Sequence, residues 1–281
     1  MQIITAISEM QSLADGFRKQ GRIIGFVATM GFLHAGHVSL MQRARQECDV
    51  VVASIFVNPT QFGPNEDLDR YPRDEAGDRA TCEAAGVDVL FMPAVSAMYP
   101  DTPSVFVIVE GISDILEGAV RPGHYRGVAT VVSKLFHLVK PHKAFFGQKD
   151  YQQCAVIKRM VKGLDMDVDV VVLPTVREPD GLAMSSRNSY LGADERRTAA
   201  VVYRALSAAE QLAKTGTRQP EALKNKIQAV VREEKGIEID YLEIADPESL
   251  APLASAQDGM VLLIAVRIGR TRLIDNLVIQ R

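Results

Sequence analysis

The sequence has few of the features that mark a secreted or membrane-bound protein. It contains only three cysteines, Cys48, Cys82 and Cys154, and none lies in a C-x-x-C or Cys/His ligand pattern, so we expect reduced thiols. No stretch reaches the roughly 20 apolar residues that a membrane-spanning helix needs. The N-terminus also lacks a basic start followed by an apolar run. We therefore expect a soluble, cytoplasmic protein that does not act at a membrane.

An excess of charge of one sign is also lacking. The 32 Lys and Arg residues nearly balance the 35 Asp and Glu residues, for a formal net charge of −3. This balance argues against a dedicated binder of nucleic acid or of a membrane surface. With 281 residues, 47% of them hydrophobic, the chain exceeds the roughly 100 to 200 residues typical of one domain. We therefore expect two domains, each with a hydrophobic core.

Up to about residue 175, short β-branched segments alternate with longer segments of helical periodicity, as in βαβ units around a parallel sheet. Near-continuous hydrophobicity predicts strands that helices cover on both faces. The predicted strands are IIGFVAT (23–29), VVVASIFV (50–57), VDVLFMP (87–93), KAFFG (143–147) and VDVVVLP (168–174). The predicted helices are 37–47, 74–85, 125–139 and 150–162, and a capping box of Ser8 and Gln11 predicts the start of another.

After about residue 190 the pattern changes to helices followed by strands. Two amphipathic helices are predicted over 193–216 and 220–236. Three strands follow, IDYLEIA (239–245), MVLLIAVRI (260–268) and RLIDNLVI (272–279), and the last two are joined by a turn at Gly269 and Arg270. Helices on a small antiparallel sheet are typical of an α+β domain.

The predicted fold class is therefore α/β. We expect a Rossmann-like doubly wound parallel sheet with a smaller C-terminal α+β domain that contains an antiparallel sheet. We place a nucleotide-binding and catalytic domain at residues 1–176, a mobile connecting loop at 177–190 and a C-terminal lid domain at 191–281.

Two of the five histidines lie where the first of these predicted strands turns into a helix. His34 and His37 flank Gly36 at the carboxyl edge of the sheet, where open α/β sheets bind ligands. Three interpretations are open: core-packing or capping histidines, zinc ligands, and phosphate contacts. The zinc interpretation lacks a third ligand nearby. A helix N-terminus supplies N–H groups and a positive dipole end, so we favour phosphate contacts.

A second strand-to-helix corner lies in AFFGQKDYQQ. Gly147 ends the apolar strand, and Lys149 brings a point charge that suits a phosphate. Asp150 is a candidate helix cap, and Gln153 follows one turn later with two donors and an acceptor. A solvated lysine and an ordinary capping aspartate explain this corner equally well.

The segment PTVREPDGLAMSSRN (174–188) is rich in turn-forming residues. In it, Arg187 matches phosphate oxygens bidentately, and Ser185 and Ser186 add neutral donors. Ordinary loop residues are the alternative interpretation. Along the chain, a Gly/His turn is followed by a lysine corner and then by a Ser/Arg loop. This order nevertheless favours nucleotidyl transfer.

The segment FVNPTQF places Asn58 and Gln61 at the end of the predicted strand 50–57. Side-chain amides bind both hydroxyl and carboxylate groups, which suits the recognition of a hydroxy acid. Structural turn amides are the alternative. The charged stretch 63–78 that follows is either a lid or a solvated loop.

Together these segments resemble the pantoate:β-alanine ligase (pantothenate synthetase) family of HxGH nucleotidyltransferases. HxGH alone indicates only the superfamily, whereas the combination is specific and spans essentially the full length. The matching segments are MGFLHAGH (30–37), FVNPTQF (56–62), RPGHYRGVATVVSKL (121–135), FFGQKDYQQ (145–153) and PTVREPDGLAMSSRN (174–188).

The resemblance implies an ATP-dependent condensation of pantoate with β-alanine through a pantoyl adenylate, carried out by a homodimer. It implies pantoate contacts from Gln61 and Gln153 and a β-alanine contact from Gln61. The implied catalytic residues are His34, His37, Lys149, Ser185, Ser186 and Arg187. The implied ATP contacts are Met30, Gly31, Phe32, Leu33, His34, Ala35, Gly36, His37, Gly147, Gln148, Lys149, Asp150, Val176, Met184, Ser185, Ser186 and Arg187.

Two positions depart from the family pattern. Gln148 stands where many relatives carry Glu, and Phe32 stands where the residue is often smaller. Because Gln148 does not supply a carboxylate, we assign no protein ligand to a metal and expect Mg²⁺ to be bound through the phosphates of ATP.

Other functions stay open at this point. They are another HxGH nucleotidyltransferase, an aminoacyl-tRNA synthetase and a non-catalytic nucleotide-binding regulator. The acidic balance and the lack of an added RNA-binding module argue against the synthetase. The regulator leaves Gln61 and Gln153 without a task.

Overall fold

The computed structural model describes residues 1–64, 66–217 and 219–279. The chain forms two compact units, one made of Met1–Gly147 with Gln152–Pro174, the other of Gln148–Tyr151 with the chain from Thr175 onward. The short segment around Lys149 therefore packs with the second unit, although its neighbours in sequence belong to the first. No helix in the described ranges is both long and apolar enough to cross a bilayer.

The first unit is built on a six-stranded sheet whose neighbouring strands are all parallel. In spatial order the strands are β1 (Gln2–Ile4), β4 (Val89–Phe91), β3 (Val50–Ile55), β2 (Ile24–Thr29), β5 (Lys143–Gly147) and β6 (Asp169–Leu173). The chain runs from β2 to β3 and β4 on one side, and from β5 to β6 on the other. The neighbours β2 and β5 thus form a topological switch point, at whose carboxyl end such sheets bind ligands. The predicted α/β fold is confirmed.

Helices cover this sheet on both faces. The helices between β1 and β6 are α1 (Ile7–Lys19), α2 (Ala35–Glu47), α3 (Glu75–Ala84), α4 (Val95–Met98), α5 (Glu117–Val120), α6 (His124–Val139) and α7 (Tyr151–Gly163). Val27 of β2 belongs to a buried cluster with side chains of α2 and α3. The next residue back, Phe26, packs edge-on against Phe136 of α6, with ring centroids 6.4 Å apart. Because successive strand residues point to opposite faces, α6 lies across the sheet from α2.

Two expectations for the N-terminal region were incomplete or wrong. The strand β1 was not predicted, because three residues are too few to show a strand period. The capping box was wrong, because α1 begins after Ala6, which makes no side-chain cap. Ser8 lies inside the first turn, where its carbonyl oxygen accepts a hydrogen bond from the Ser12 hydroxyl at 2.8 Å.

The second unit contains a three-stranded antiparallel sheet in the order β7 (Ile237–Ala245), β8 (Val261–Ile268) and β9 (Thr271–Val278). The predicted turn joins β8 to β9 at Gly269, whose φ of +54° falls in the left-handed region. Helices α9 (Val201–Lys214) and α10 (Pro220–Val231) share one apolar core with this sheet. The smaller α+β unit is therefore present as predicted.

The predicted single helix over 193–216 is instead two helices, α8 (Ala193–Ala199) and α9. Ala200 joins them with helical dihedral angles, φ −63° and ψ −19°. The amphipathic pattern runs through this junction because only the hydrogen-bond pattern is interrupted.

All three cysteines are buried thiols that form no disulfide within the described part of the chain. Burial raises the pKa of the Cys82 thiol to about 12 and also raises that of Cys48. Thiols with raised pKa values stay protonated at neutral pH and are poor nucleophiles, so these two cysteines act as small core residues.

Candidate functional site

The turn after β2 is held by a carboxylate from α3. Gly31 has φ +85° and Phe32 has φ +51°, a conformation that costs a non-glycine residue roughly 1 kcal/mol. The buried Asp78 carboxylate accepts hydrogen bonds from the backbone N–H of Phe32 at 2.8 Å and of Leu33 at 2.7 Å. A Cβ atom on Gly31 would lie 2.8 Å from this carboxylate, so the close approach requires glycine.

The two histidines of the turn cap helix α2. His34 is the N-cap, and its Nδ1 atom accepts a hydrogen bond from the Gly36 N–H at 3.1 Å. In return, the backbone N–H of His34 donates to Nδ1 of His37 at 3.3 Å. The ring centroids lie 4.1 Å apart. Gly36 is needed here, because a Cβ atom would lie 2.9 Å from the His34 ring.

This capping arrangement determines where the imidazole protons lie. Since Nδ1 of His34 and of His37 each accepts a hydrogen bond, each neutral ring carries its proton on Nε2. An Nε2–H group is a hydrogen-bond donor, which is the role that a phosphate oxygen requires. His34 and His37 thus take part in capping α2 through Nδ1, as the capping interpretation predicts, and this role is compatible with phosphate contacts through Nε2–H.

Gln61 lies in a short 3-10 helix, Pro59–Gln61, that follows β3. The Asn58 amide donates to Oε1 of Gln61 at 3.1 Å and to the Gly127 carbonyl oxygen of α6 at 3.2 Å. Nε2 of Gln61 lies 3.3 Å from the sulfur of Met30. The structure therefore brings Gln61 beside the turn after β2, and Asn58 orients it.

The backbone of Gln61 is held by His124 in the first turn of α6. The Arg121 guanidinium can only donate, so Nε2 of His124, 3.1 Å away, is the acceptor. Nδ1–H therefore donates to the Gln61 carbonyl oxygen at 2.8 Å. Arg121 also pairs with Glu66, its Nε donating to the carboxylate at 2.9 Å. Burial, followed by the charge of Arg121, lowers the pKa of His124 to about 4.

Two adjacent glutamines of α7 have different surroundings. Gln152 is buried, donates to the carbonyl oxygens of Ile112 and Ile115 at 2.8 Å, and accepts from the Glu117 N–H at 3.0 Å. Gln153 is half-buried, and its side chain makes no hydrogen bond within the part of the chain that the structure describes. Gln153 is thus the glutamine with its amide available to a ligand.

A cavity of about 500 Å³ opens at the carboxyl edge of the parallel sheet. Met30 and Gly31 border it after β2, Val57 and Pro59 border it after β3, and Asp78 lies in its wall. The turn after β2 therefore faces an open space on the side of β3.

In the second unit, the lysine corner forms a 3-10 helix, Gln148–Asp150. The Lys149 ammonium lies 3.7 Å from the Asp150 carboxylate. The backbone carbonyls of Gln148 and Lys149 both accept hydrogen bonds from the Asn276 amide of β9, each at 2.9 Å. The corner is thus fixed through its main chain.

The connecting segment folds on itself within the same unit. Arg177 pairs with Ala183 in a β-bridge, and the Met184 N–H donates to the Val176 carbonyl oxygen at 3.0 Å. Ser185 caps the 3-10 helix Ser186–Tyr190, accepting from the Arg187 N–H at 3.3 Å.

The predicted site residues divide between the two units. Met30, the histidines, Gln61 and Gln153 belong to the first, and Lys149 and the 176–187 segment belong to the second. Sequence reasoning missed four polar residues that hold these segments in place, because each comes from a distant part of the chain. They are Asp78, His124, Asp275 and Asn276.

Comparison with known proteins places the chain in one family. Residues 2–278 match the family model described as Pantoate-beta-alanine ligase. A pantothenate synthetase from Herpetosiphon aurantiacus is 54% identical over 279 residues, which cover 99% of this chain and 100% of that protein. One from Caldicellulosiruptor saccharolyticus is 49% identical over the full length of both chains.

Solved structures agree with this placement. A pantothenate synthetase from Thermus thermophilus superposes with a TM-score of 0.94 at 46% identity and covers 100% of both chains. A pantoate-beta-alanine ligase from Francisella tularensis, complexed with beta-gamma ATP and beta-alanine, gives a TM-score of 0.82 at 38% identity, covering 99% of this chain and 97% of that one. On these matches over its whole length, the chain belongs to the pantoate-beta-alanine ligase family.

Proposed function

We propose that this chain is a pantoate–β-alanine ligase that condenses (R)-pantoate with β-alanine, forming pantothenate, AMP and pyrophosphate in coenzyme A precursor biosynthesis. The observation that carries the proposal is the Asp78-held Gly/His turn at the switch point of the sheet, in a chain that matches the ligase family over residues 2–278. Open α/β sheets bind ligands at this position, and helix N-termini bind phosphate.

In the first step, a carboxylate oxygen of pantoate attacks the α-phosphorus of ATP, the bond to the β-phosphate oxygen breaks, and pyrophosphate leaves. Negative charge grows on the α-phosphate and on the leaving group, so catalysis rests on positioned donors. The proposed catalytic donors are the Nε2–H groups of His34 and His37, the Lys149 ammonium, Ser185, Ser186 and Arg187.

Substrate contacts complete the proposal. Gln61 and Gln153 bind pantoate, and Gln61 also contacts β-alanine; the amide of Gln61 is oriented by Asn58, and Gln153 offers an uncommitted amide. The proposed ATP contacts are Met30, Gly31, Phe32, Leu33, His34, Ala35, Gly36, His37, Gly147, Gln148, Lys149, Asp150, Val176, Met184, Ser185, Ser186 and Arg187.

In the second step, the β-alanine amine attacks the carbonyl carbon of the pantoyl adenylate, the bond to the AMP oxygen breaks, and the amine loses a proton. The pantoyl adenylate is a mixed anhydride, which water hydrolyses. The site must therefore be enclosed for as long as the adenylate is bound. We propose that residues 177–190 move as a connecting loop and that the domain from residue 191 onward acts as a lid over the catalytic domain, residues 1–176.

Mg²⁺ enters the proposal as part of the MgATP substrate. Among residues 1–64, 66–217 and 219–279, no three His, Cys, Asp or Glu side chains gather as a metal site. Because Gln148 supplies no carboxylate, we propose that Mg²⁺ would be held through the phosphate oxygens of ATP, and no step is derived through it. We further propose that the chain forms a cytoplasmic homodimer, which the family resemblance supports. Light scattering after gel filtration tests the oligomeric state.

The test is pyrophosphate release with ATP and pantoate but without β-alanine. We expect a burst of about one pyrophosphate per active site, because the adenylate stays bound until the amine arrives. Adding β-alanine then restores turnover and releases AMP. ATP binding without any burst would indicate a non-catalytic nucleotide-binding protein, and a burst with another acid but not with pantoate would indicate a different HxGH transferase.

A further inference from the structure

Two adjacent residues of β9 hold two separate segments of the second unit. The side-chain amide of Asn276 donates both of its hydrogens to main-chain oxygens, those of Gln148 and Lys149, each at 2.9 Å. Its Oδ1 atom accepts from Nε2 of Gln148 at 3.2 Å. Asn276 is 1% exposed, so water does not replace these contacts.

The neighbouring Asp275 holds the connecting segment. Its carboxylate accepts two hydrogen bonds from the Arg177 guanidinium, at 2.6 Å and 2.9 Å. The same guanidinium donates to the Asn276 carbonyl oxygen at 3.3 Å and stacks over the Tyr203 ring, 3.9 Å from its centroid. A bidentate arginine pair of this kind fixes orientation as well as distance.

We propose that Asp275 and Asn276 are positioning residues that hold the Lys149 corner and the 176–187 segment in register, so that both reach one ATP molecule. The inference rests on the proposed function, which places ATP contacts on both segments. Asn276 acts on Lys149 through its main chain, and Asp275 acts on Val176 and the serine loop through Arg177. Neither residue touches a substrate in this role.

The same contacts give Gln148 a part in this positioning. A neutral amide can donate to Oδ1 of Asn276, whereas an ionised carboxylate can only accept. In this chain, Gln148 and Asn276 thus form a matched amide pair. We expect Gln148→Glu to weaken the same positioning and to raise the KM for ATP in the same direction as a change at Asn276.

The test replaces Asn276 with Asp, which has the same shape but turns both donors into acceptors that face two carbonyl oxygens. We expect the KM for ATP to rise about tenfold or more, as the loss of about 1.4 kcal/mol in binding implies. The KM for pantoate should stay within about twofold, because Gln61 and Gln153 belong to the other unit. A purely structural role would lower the melting temperature without separating the two KM values.

Thr271→Val is the matched control, since Thr271 is a buried polar residue of the same strand that pairs with Ile268 in the β8–β9 hairpin. It should leave both KM values unchanged. If Asn276→Asp does not fold, Asn276→Ser, which keeps a donor at this position, takes its place with the same expectation in direction.

A double-mutant cycle separates this inference from the proposed function. If Asn276 acts by placing Lys149, Asn276→Asp should cost much less in the Lys149→Ala background than in the natural chain. A folded Asn276→Asp protein with an unchanged KM for ATP, or with fully additive effects, overturns the inference while leaving the ligase assignment intact. Near-normal adenylation by Lys149→Ala alone would instead remove the site on which the inference rests.

Discussion

His124 donates its Nδ1–H to the main-chain oxygen of Gln61 at 2.8 Å, so a buried neutral imidazole supports the backbone of a proposed substrate contact. Arg121 donates to the other ring nitrogen, 3.1 Å away, and this excludes a proton there. Protonation of His124 would place two donors against each other inside the first unit.

This arrangement predicts a loss of stability in mild acid. The pKa of His124 is about 4 in the folded chain, below the ordinary value of 6.5, so the unfolded state binds one more proton between these values. The contribution of neutral His124 to the free energy of unfolding is therefore complete above pH 6.5, and it is lost as the pH falls toward 4. At about 1.4 kcal/mol per pH unit, the loss reaches roughly 3 kcal/mol.

Urea unfolding of the natural chain and of His124→Asn between pH 7 and pH 4.5 measures this difference. Asn retains a donor for the Gln61 carbonyl but does not titrate, so the variant should lose less stability on acidification. His137→Asn, on the exposed side of the same helix, is the control and should keep the natural pH dependence. Parallel curves for the natural chain and His124→Asn would contradict the prediction.

Asp78→Asn tests the two hydrogen bonds through which the Asp78 carboxylate holds the turn after β2. The amide presents an NH₂ group to one of two backbone N–H donors, those of Phe32 and Leu33, and leaves that donor unsatisfied. We expect a loss of about 1 to 3 kcal/mol in the free energy of unfolding and a lower kcat, since the histidines follow directly. Denaturant unfolding and the pyrophosphate assay measure the two effects.

Asp74→Asn provides the matched control for Asp78→Asn. Asp74 caps α3 by accepting from the Gly77 N–H at 3.0 Å, and asparagine caps a helix about as well as aspartate. Both measurements should stay close to those of the natural chain. Equal effects of the two substitutions would contradict the proposal that Asp78 holds the turn after β2.

Gly127→Ala tests the close approach of α6 to the segment that carries Gln61. A Cβ atom would lie 2.4 Å from the Thr60 carbonyl oxygen and 2.7 Å from Cα of Gln61, so the segment must move. We expect a destabilisation of about 1 to 3 kcal/mol and a larger rise in the KM for pantoate than in the KM for ATP. Gly163→Ala, where nothing lies within 4 Å, should be neutral in both assays.

Lys149→Ala tests the proposed charge stabilisation. Removing one positioned donor from a transition state of this kind costs on the order of 10² to 10³ in kcat. Lys158→Ala removes an equal charge from the exposed face of α7 and should leave kcat unchanged. Burst measurements of pyrophosphate release without β-alanine compare the two variants, and similar burst rates would contradict the proposed role of Lys149.

Much of the fold follows from local sequence. The apolar runs that contain β2 to β6 predict a parallel sheet because strands covered on both faces have no polar side. The positions of His34, Gln61 and Lys149 at strand ends follow from the same rule. What local pattern does not reveal is which distant side chain holds each corner.

Asp78 is 46 residues from Phe32 and Asn276 is 127 residues from Lys149 along the chain, so no spacing connects them. Asp78 lies in a charged stretch that favours a solvated loop or a lid, and its burial depends on the tertiary fold. The consecutive polar pair Asp275 and Asn276 does carry a signal, because neighbouring strand residues point to opposite faces and one of the two must enter a packed side.

The hydrogen bonds between Asn276 and the lysine corner go to the carbonyl oxygens of residues 148 and 149 and to the side chain of Gln148. The hydrogen bonds by which Asn276 holds the corner therefore do not involve the side chain of residue 149. A natural change at this one position would leave a chain that folds normally but lacks the proposed catalytic ammonium. In evolutionary terms, scaffold and chemistry are separable here, so inactive descendants of this enzyme would be able to persist as stable proteins and acquire other roles.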